Sequence, residues 1–152
     1  MTSQLNVDTI VDKAGSGGSN VKMANTSTYV GEGGSGTQNT VQGLAKQWIH
    51  LNGTGTIAIV DSFNTTSITD DGTGEYTITI ANDMANIGYS KTSTGAQNNS
   101  VGPQIVKVDY GRTSNAYSAP TVTAYKIQNF LASNADGVDT QYLNATAHGD
   151  LA

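Results

Sequence analysis

Apolar and polar side chains alternate with a period of two in short runs along most of this chain. The clearest run is Glu75-Tyr76-Thr77-Ile78-Thr79-Ile80, with Tyr76, Ile78 and Ile80 on one side and Glu75, Thr77 and Thr79 on the other. That is the pattern of a strand with one buried face. Just before it, Asp70-Asp71-Gly72-Thr73-Gly74 offers glycines for positive φ and carboxylates that can cap backbone N–H groups. A tight reversal needs both. Residues 62–80 therefore predict strand, polar turn, strand.

Further strands are expected over residues 47–51 and 56–60, joined by the hairpin turn Asn52-Gly53-Thr54-Gly55. Others follow at 87–91, 104–110, 121–130 and 140–148, each bounded by turn-forming residues. Short strands with turns between them predict an all-β body with a β-sandwich or jelly-roll-like arrangement over residues 46–152. Two segments compete with this. Val41, Leu44, Ala45 and Trp48 fall at i, i+3, i+4 and i+7, so a helical turn around 38–46 is an equal reading, although Gly43 weakens it. Residues 81–85 could form one further turn.

The first 45 residues behave differently. Large apolar residues are sparse, and two glycine-rich breaks interrupt the run, at Gly15-Ser16-Gly17-Gly18 and Gly31-Glu32-Gly33-Gly34-Ser35-Gly36. Segments this poor in apolar residues cannot by themselves offset the entropy of ordering a backbone. Residues 1–45 thus read as an extended, glycine-interrupted N-terminal arm for attachment or oligomerisation. Its anchors would be Leu5, Val7, Ile10, Val11, Val21 and Met23, set against sister subunits or another protein.

Only 12% of the 152 residues are charged, and Thr, Asn, Ser and Gly carry the polarity, which suits pleated surface and turns rather than helices. The net charge is −5 with seven scattered basic residues, a poor basis for nucleic-acid binding. The absence of cysteine excludes disulfides and thiolate metal sites. No apolar run reaches the length of a membrane span, so no membrane insertion is expected. Met1 to Asp8 lacks the pattern of a signal peptide, which points to a cytoplasmic product and counts against a secreted carbohydrate-binding module.

Candidate chemistry is thin. Gly31-x-Gly33-x-x-Gly36 spells a dinucleotide fingerprint, but no strand–turn–helix unit surrounds it. Asp70, Asp71 and Glu75 are the best oxygen donors for a hard cation, yet their spacing suits a polar hairpin tip better. His50 and His148 lack a nucleophile signature beside them. The acidic residues that a glycosidase would need sit mostly in turns, at Asp61, Asp70, Asp71, Asp83, Asp136 and Asp150. No catalytic residue, cofactor or metal is assigned, and the chain reads as a non-enzyme. Trp48, Tyr89, Tyr110, Tyr117, Tyr125 and Tyr142 could stack on sugars, although aromatics in a small β-domain more often fill its core. Tyr117, in the stretch Ser114-Asn115-Ala116-Tyr117-Ser118-Ala119-Pro120, is the candidate for a surface-contact loop. The Asn-x-Ser/Thr triplets at Asn64 and Asn144 are expected by chance in so Asn- and Thr-rich a chain.

Three stretches resemble tail-fibre and appendage-type virion proteins of marine and freshwater tailed bacteriophages. They are Leu5-Asn6-Val7-Asp8-Thr9-Ile10-Val11-Asp12-Lys13-Ala14-Gly15, the run from Gly43 to Ile80, and the ending Ala145-Thr146-Ala147-His148-Gly149-Asp150-Leu151-Ala152. Together they cover 57 of the 152 residues and keep the family's order. The resemblance implies a homotrimeric structural component of the virion, assembled in the host cytoplasm, with tail or capsid proteins as partners and host surface glycan as a further contact. It favours a short fibre or tail appendage. The short length, with no shaft between the first two stretches, favours the alternative of a capsid decoration or head-fibre protein. The expectation adopted is the fibre.

Overall fold

The fold comes from a computed structural model, which describes residues 28–30, 36–95, 104–111, 116–134 and 136–152. The anchor residues Leu5, Val7, Ile10, Val11, Val21 and Met23 lie outside the described residues, as does most of the Gly31–Gly36 fingerprint. The chain divides into two compact units, Met1–Val41 and Gln42–Ala152. In the first, β1 (Thr28–Val30) pairs antiparallel with β2 (Thr37–Asn39). The helical reading around 38–46 reduces to one turn, α1 (Thr40–Gly43), and Trp48 belongs to the strand that follows.

The second unit is all-β, built on two four-stranded antiparallel sheets. One has the order β4-β3-β12-β7, from Ala58–Phe63, Ala45–Asn52, Leu143–His148 and Ser90–Gly95. The other has the order β5-β6-β11-β8, from Thr65–Gly72, Glu75–Ile80, Ala124–Leu131 and Gln104–Val108. A two-stranded ribbon pairs β9 (Tyr110–Gly111) with β10 (Ala116–Tyr117). Tyr117 therefore sits in a short strand opposite Tyr110, within a segment the sequence suggests is loop. The 87–91 strand is displaced to Ser90–Gly95, leaving Ile87 exposed. Residues 81–85 form no helical turn; there Met84 is buried and bridges to Leu151.

Local chemistry accounts for the turns. Between β3 and β4, Asn52 Oδ1 accepts from Thr54 N at 2.9 Å and from Thr54 Oγ1 at 2.7 Å, and Gly55 takes φ +65°. Between β5 and β6, Asp70 Oδ1 accepts from Gly72 N at 3.0 Å, and Gly74 takes φ +74°. The step from β4 to β5, which carries the chain from one sheet to the other, is made by Asn64 at φ +54°. Asn is among the few residues that tolerate this conformation. Its side chain locks the corner, donating to Lys46 O and Asn82 O and accepting from Asn82 N.

The two sheets share one core. Ile49, Leu51, Leu143, Ala145 and Ala147 come from the first, and Tyr76, Ile78, Ile80, Tyr125 and Ile127 from the second. Each fully buried aliphatic side chain contributes roughly 1.5–3 kcal/mol. Three tyrosines within it need partners for their hydroxyls, and each finds one across the sheets or in a connecting loop. Tyr125 Oη donates to Gln47 Oε1 at 2.7 Å, and Gln47 Nε2 donates on to Thr65 Oγ1 at 2.8 Å. Tyr76 Oη donates to Asp139 Oδ1 at 2.8 Å and lies 3.2 Å from Gly53 O. Tyr89 Oη lies 2.9 Å from Thr121 O and 3.2 Å from Ala124 O. Where β7 meets β8, Lys91 Nζ pairs with Asp109 Oδ2 at 3.0 Å, both side chains almost buried. Lys91 Nζ also sits 4.0 Å over the Tyr89 ring.

Two outcomes follow. Burial, the largest cause, raises all three phenols above their ordinary 10.0, with Asp139 adding to the effect on Tyr76 and Asp109 to that on Tyr89 and Tyr125. The unfolded chain ionises near pH 10 and the fold resists, so this contribution is whole below that pH and is lost as pH rises above it. Stability should fall by about 1.4 kcal/mol per pH unit for each phenol, with the part of the tyrosinate absorbance that belongs to these three appearing only together with loss of the β circular dichroism; Tyr125→Phe should flatten the slope. In urea titrations, Lys91→Met should cost about 3 kcal/mol because it strands a buried carboxylate, and adding Asp109→Asn should restore much of it.

Candidate binding face

The outward faces of the two sheets differ in chemistry. On the β5-β6-β11-β8 sheet the charges pair among themselves. Lys126 Nζ lies 3.0 Å from Asp71 Oδ2 and 3.1 Å from Glu75 Oε1. Burial pulls the Lys126 ammonium down, but the hydrogen bonds and charges of Asp71 and Glu75 outweigh it and hold the group above its ordinary range. Lys107 Nζ covers the Phe130 ring at 4.7 Å. The Asp70, Asp71 and Glu75 set is thus divided between capping the hairpin and pairing with Lys126. Among the described residues no group of three His, Cys, Asp or Glu side chains is placed to hold a metal.

The β4-β3-β12-β7 sheet presents uncharged hydrogen-bonding groups and rings. Its register aligns Phe63 of β4, Trp48 of β3, Thr146 of β12 and Thr92 of β7 in one row. The next row of the same face holds Asp61, His50, Asn144 and Thr94. Alternation explains the composition: Gln47, Ile49 and Leu51 turn inward to the core, so Trp48 and His50 turn outward. Phe63 is 53% exposed and Tyr142 is 50% exposed. The Tyr142 ring stacks on His50 with centroids 5.8 Å apart and an interplanar angle of 25°. His50 Nε2 is shielded from solvent and makes no hydrogen bond within the described residues. Thr92 and Thr146 share a 2.7 Å hydrogen bond between hydroxyls. Beside it, Thr92, Ser93 and Thr94 of β7 and Asn144, Ala145 and Thr146 of β12 line a shallow depression of about 60 Å³.

The aromatic candidates separate accordingly. Tyr89 and Tyr125 belong to the core, packed edge to face at 6.2 Å. Trp48 and Tyr142 belong to the outward face, and the side chains of Tyr110 and Tyr117 lie outside the described residues. The two histidines, distant in sequence, share one sheet on adjacent strands. Asn64 is a structural corner, whereas Asn144 is exposed on the face. Sequence reasoning passed over Phe63, Thr92 and Thr146. Their alternation is visible in the sequence, but which of two faces points outward is not. Comparison with family models, curated proteins and solved structures returned no match.

If this face is a surface rather than packing, its rings are dispensable for folding. Phe63→Ser and Tyr142→Ala should each change unfolding free energy in urea by less than about 1 kcal/mol. Leu143→Ala, one residue on but fully buried, should cost about 2–5 kcal/mol.

Proposed function

We propose that this chain is a non-enzymatic structural component of a tailed-phage virion. In this reading it is a short homotrimeric fibre or tail appendage, attached through residues 1–45, with a β-sandwich body that meets the host surface. The observation that carries the reading is how the resembling stretches fall in the fold. The run from Gly43 to Ile80 spans β3 to β6, and the ending from Ala145 onward supplies most of β12, which pairs with β3 along its length. Segments at opposite ends of the body that resemble one family thus form one continuous piece of fold. The outward rings of the β4-β3-β12-β7 sheet suit contact with another surface better than catalysis.

Immunogold labelling of intact particles with an antibody against residues 46–152 tests the assignment. Grains at the tail are the expected result. Grains spread over the head in many copies would replace the fibre with a capsid decoration protein. Bare particles, with the antibody shown to bind added protein on the same grids, would refute a virion role. Removal of residues 1–36 should abolish incorporation while the body still folds, and sedimentation of the full chain should give trimers.

A further inference from the structure

We infer that the outward face of the β4-β3-β12-β7 sheet is a binding platform for a neutral polysaccharide, centred on Trp48, His50, Tyr142 and Asn144. The inference rests on the host-contact half of the function proposed above, narrows the glycan that the resemblance implies to a neutral chain, and adds a site. Sugar rings present two kinds of surface, an apolar face of C–H groups and a rim of hydroxyls. Recognition accordingly calls for exposed aromatic faces beside uncharged donors and acceptors.

This face has that combination. Trp48 and Phe63 stand opposite one another across β3 and β4. Two residues along β3, His50 carries the stacked and half-exposed Tyr142 ring. At about 3.4 Å per residue, the two aromatic clusters are separated by roughly 7 Å, a distance that sugars of one chain can bridge. Asn144 lies directly opposite His50 on β12 and is exposed, beside the Thr92–Thr146 hydroxyl pair and its depression.

Charge complementarity selects among polysaccharides. Asp61, at the open edge in β4, is the one acidic residue in these two rows, and no Lys or Arg stands in them to recruit an acidic chain. On the opposite sheet Lys126 is held in the Asp71–Lys126–Glu75 network and Lys107 lies over the Phe130 ring. Lys46, the next residue on that side of β3, is buried. Within the two rows an acidic polysaccharide would therefore meet no exposed cation and would meet a carboxylate at the margin; a neutral one pays no such electrostatic penalty.

Trp48 is the single tryptophan of the chain, so its fluorescence reports on the platform directly. The full chain would be titrated with dextran, mannan, galactan and xylan, with alginate as the acidic control, and run through gels containing each. A shift in Trp48 emission and retarded migration with at least one neutral polysaccharide, but not with alginate, is the expected result. Tyr142→Ala should weaken that binding by about tenfold or more, and Asn144→Ala several-fold. Lys126→Gln on the opposite sheet should leave it unchanged, with all variants matched for urea midpoint. No response to any neutral polysaccharide, binding indifferent to Tyr142→Ala, or preference for alginate would each overturn the inference. Free protein is used throughout, so bare particles in the labelling experiment would remove the virion role without touching this result.

Discussion

The structure depends on finding partners for three tyrosine hydroxyls inside a core shared by two sheets. A buried hydroxyl without a partner costs about as much as a buried aliphatic side chain contributes. Each of the three must therefore reach a group fixed by some other part of the chain. Tyr125 crosses from one sheet to Gln47 on the other, and the small Ala145 and Ala147 contribute to the core beside it. Tyr76 reaches Gly53 and Asp139, in a connection where a Cβ on residue 53 would overlap its hydroxyl. None of these bonds can form from one sheet alone, so the phenols couple the two sheets into one cooperative unit.

That coupling extends to the outward face. Asp139, the acceptor for Tyr76, also accepts from Gly74 N at 2.7 Å, while Gly53 N donates to Thr140 O at 2.9 Å. Asn129 Nδ2 donates to Val138 O in the same segment. The run before β12 is therefore held by the core from beneath, and Tyr142 follows it onto His50. Polar groups buried for stability thereby fix the position of a ring exposed for contact. Gly74 serves the same end, since any side chain there would collide with the Asn129 carbonyl as well as strain the positive φ.

The sheets differ where they meet solvent. One outward face neutralises its charges internally, through Lys126 between two carboxylates, which leaves little field to attract a charged partner. The other offers rings, hydroxyls and amides. A surface of this second kind gains contact area from the rings while its polar groups keep exact geometry, and it holds few charges that binding would have to desolvate.

Much of the fold was legible because it rests on local rules. Alternation at Glu75–Ile80 marked a half-buried strand, and Asn52-Gly53-Thr54-Gly55 and Asp70 to Gly74 marked reversals whose side-chain caps are those observed. The segment around Val41 read two ways because a period near 3.6 and a period of two overlap over so few residues; the helical turn Thr40–Gly43 and the strand holding Trp48 follow one another there. The strand expected at 87–91 was misplaced because Ile87 looks like a core residue, whereas Tyr89 fills that role and the strand beyond it is all Ser, Thr, Lys and Gly. What the sequence by itself determined was the β class, the two hairpin turns and which residues of a strand share a side. Only the tertiary structure decided which strands pair, that Gln47 and Asp139 serve buried phenols, and that Trp48, His50, Tyr142 and Asn144 share one outward face. Those outcomes depend on strands far apart in sequence meeting in one register, and alternation within a strand carries no information about its neighbours.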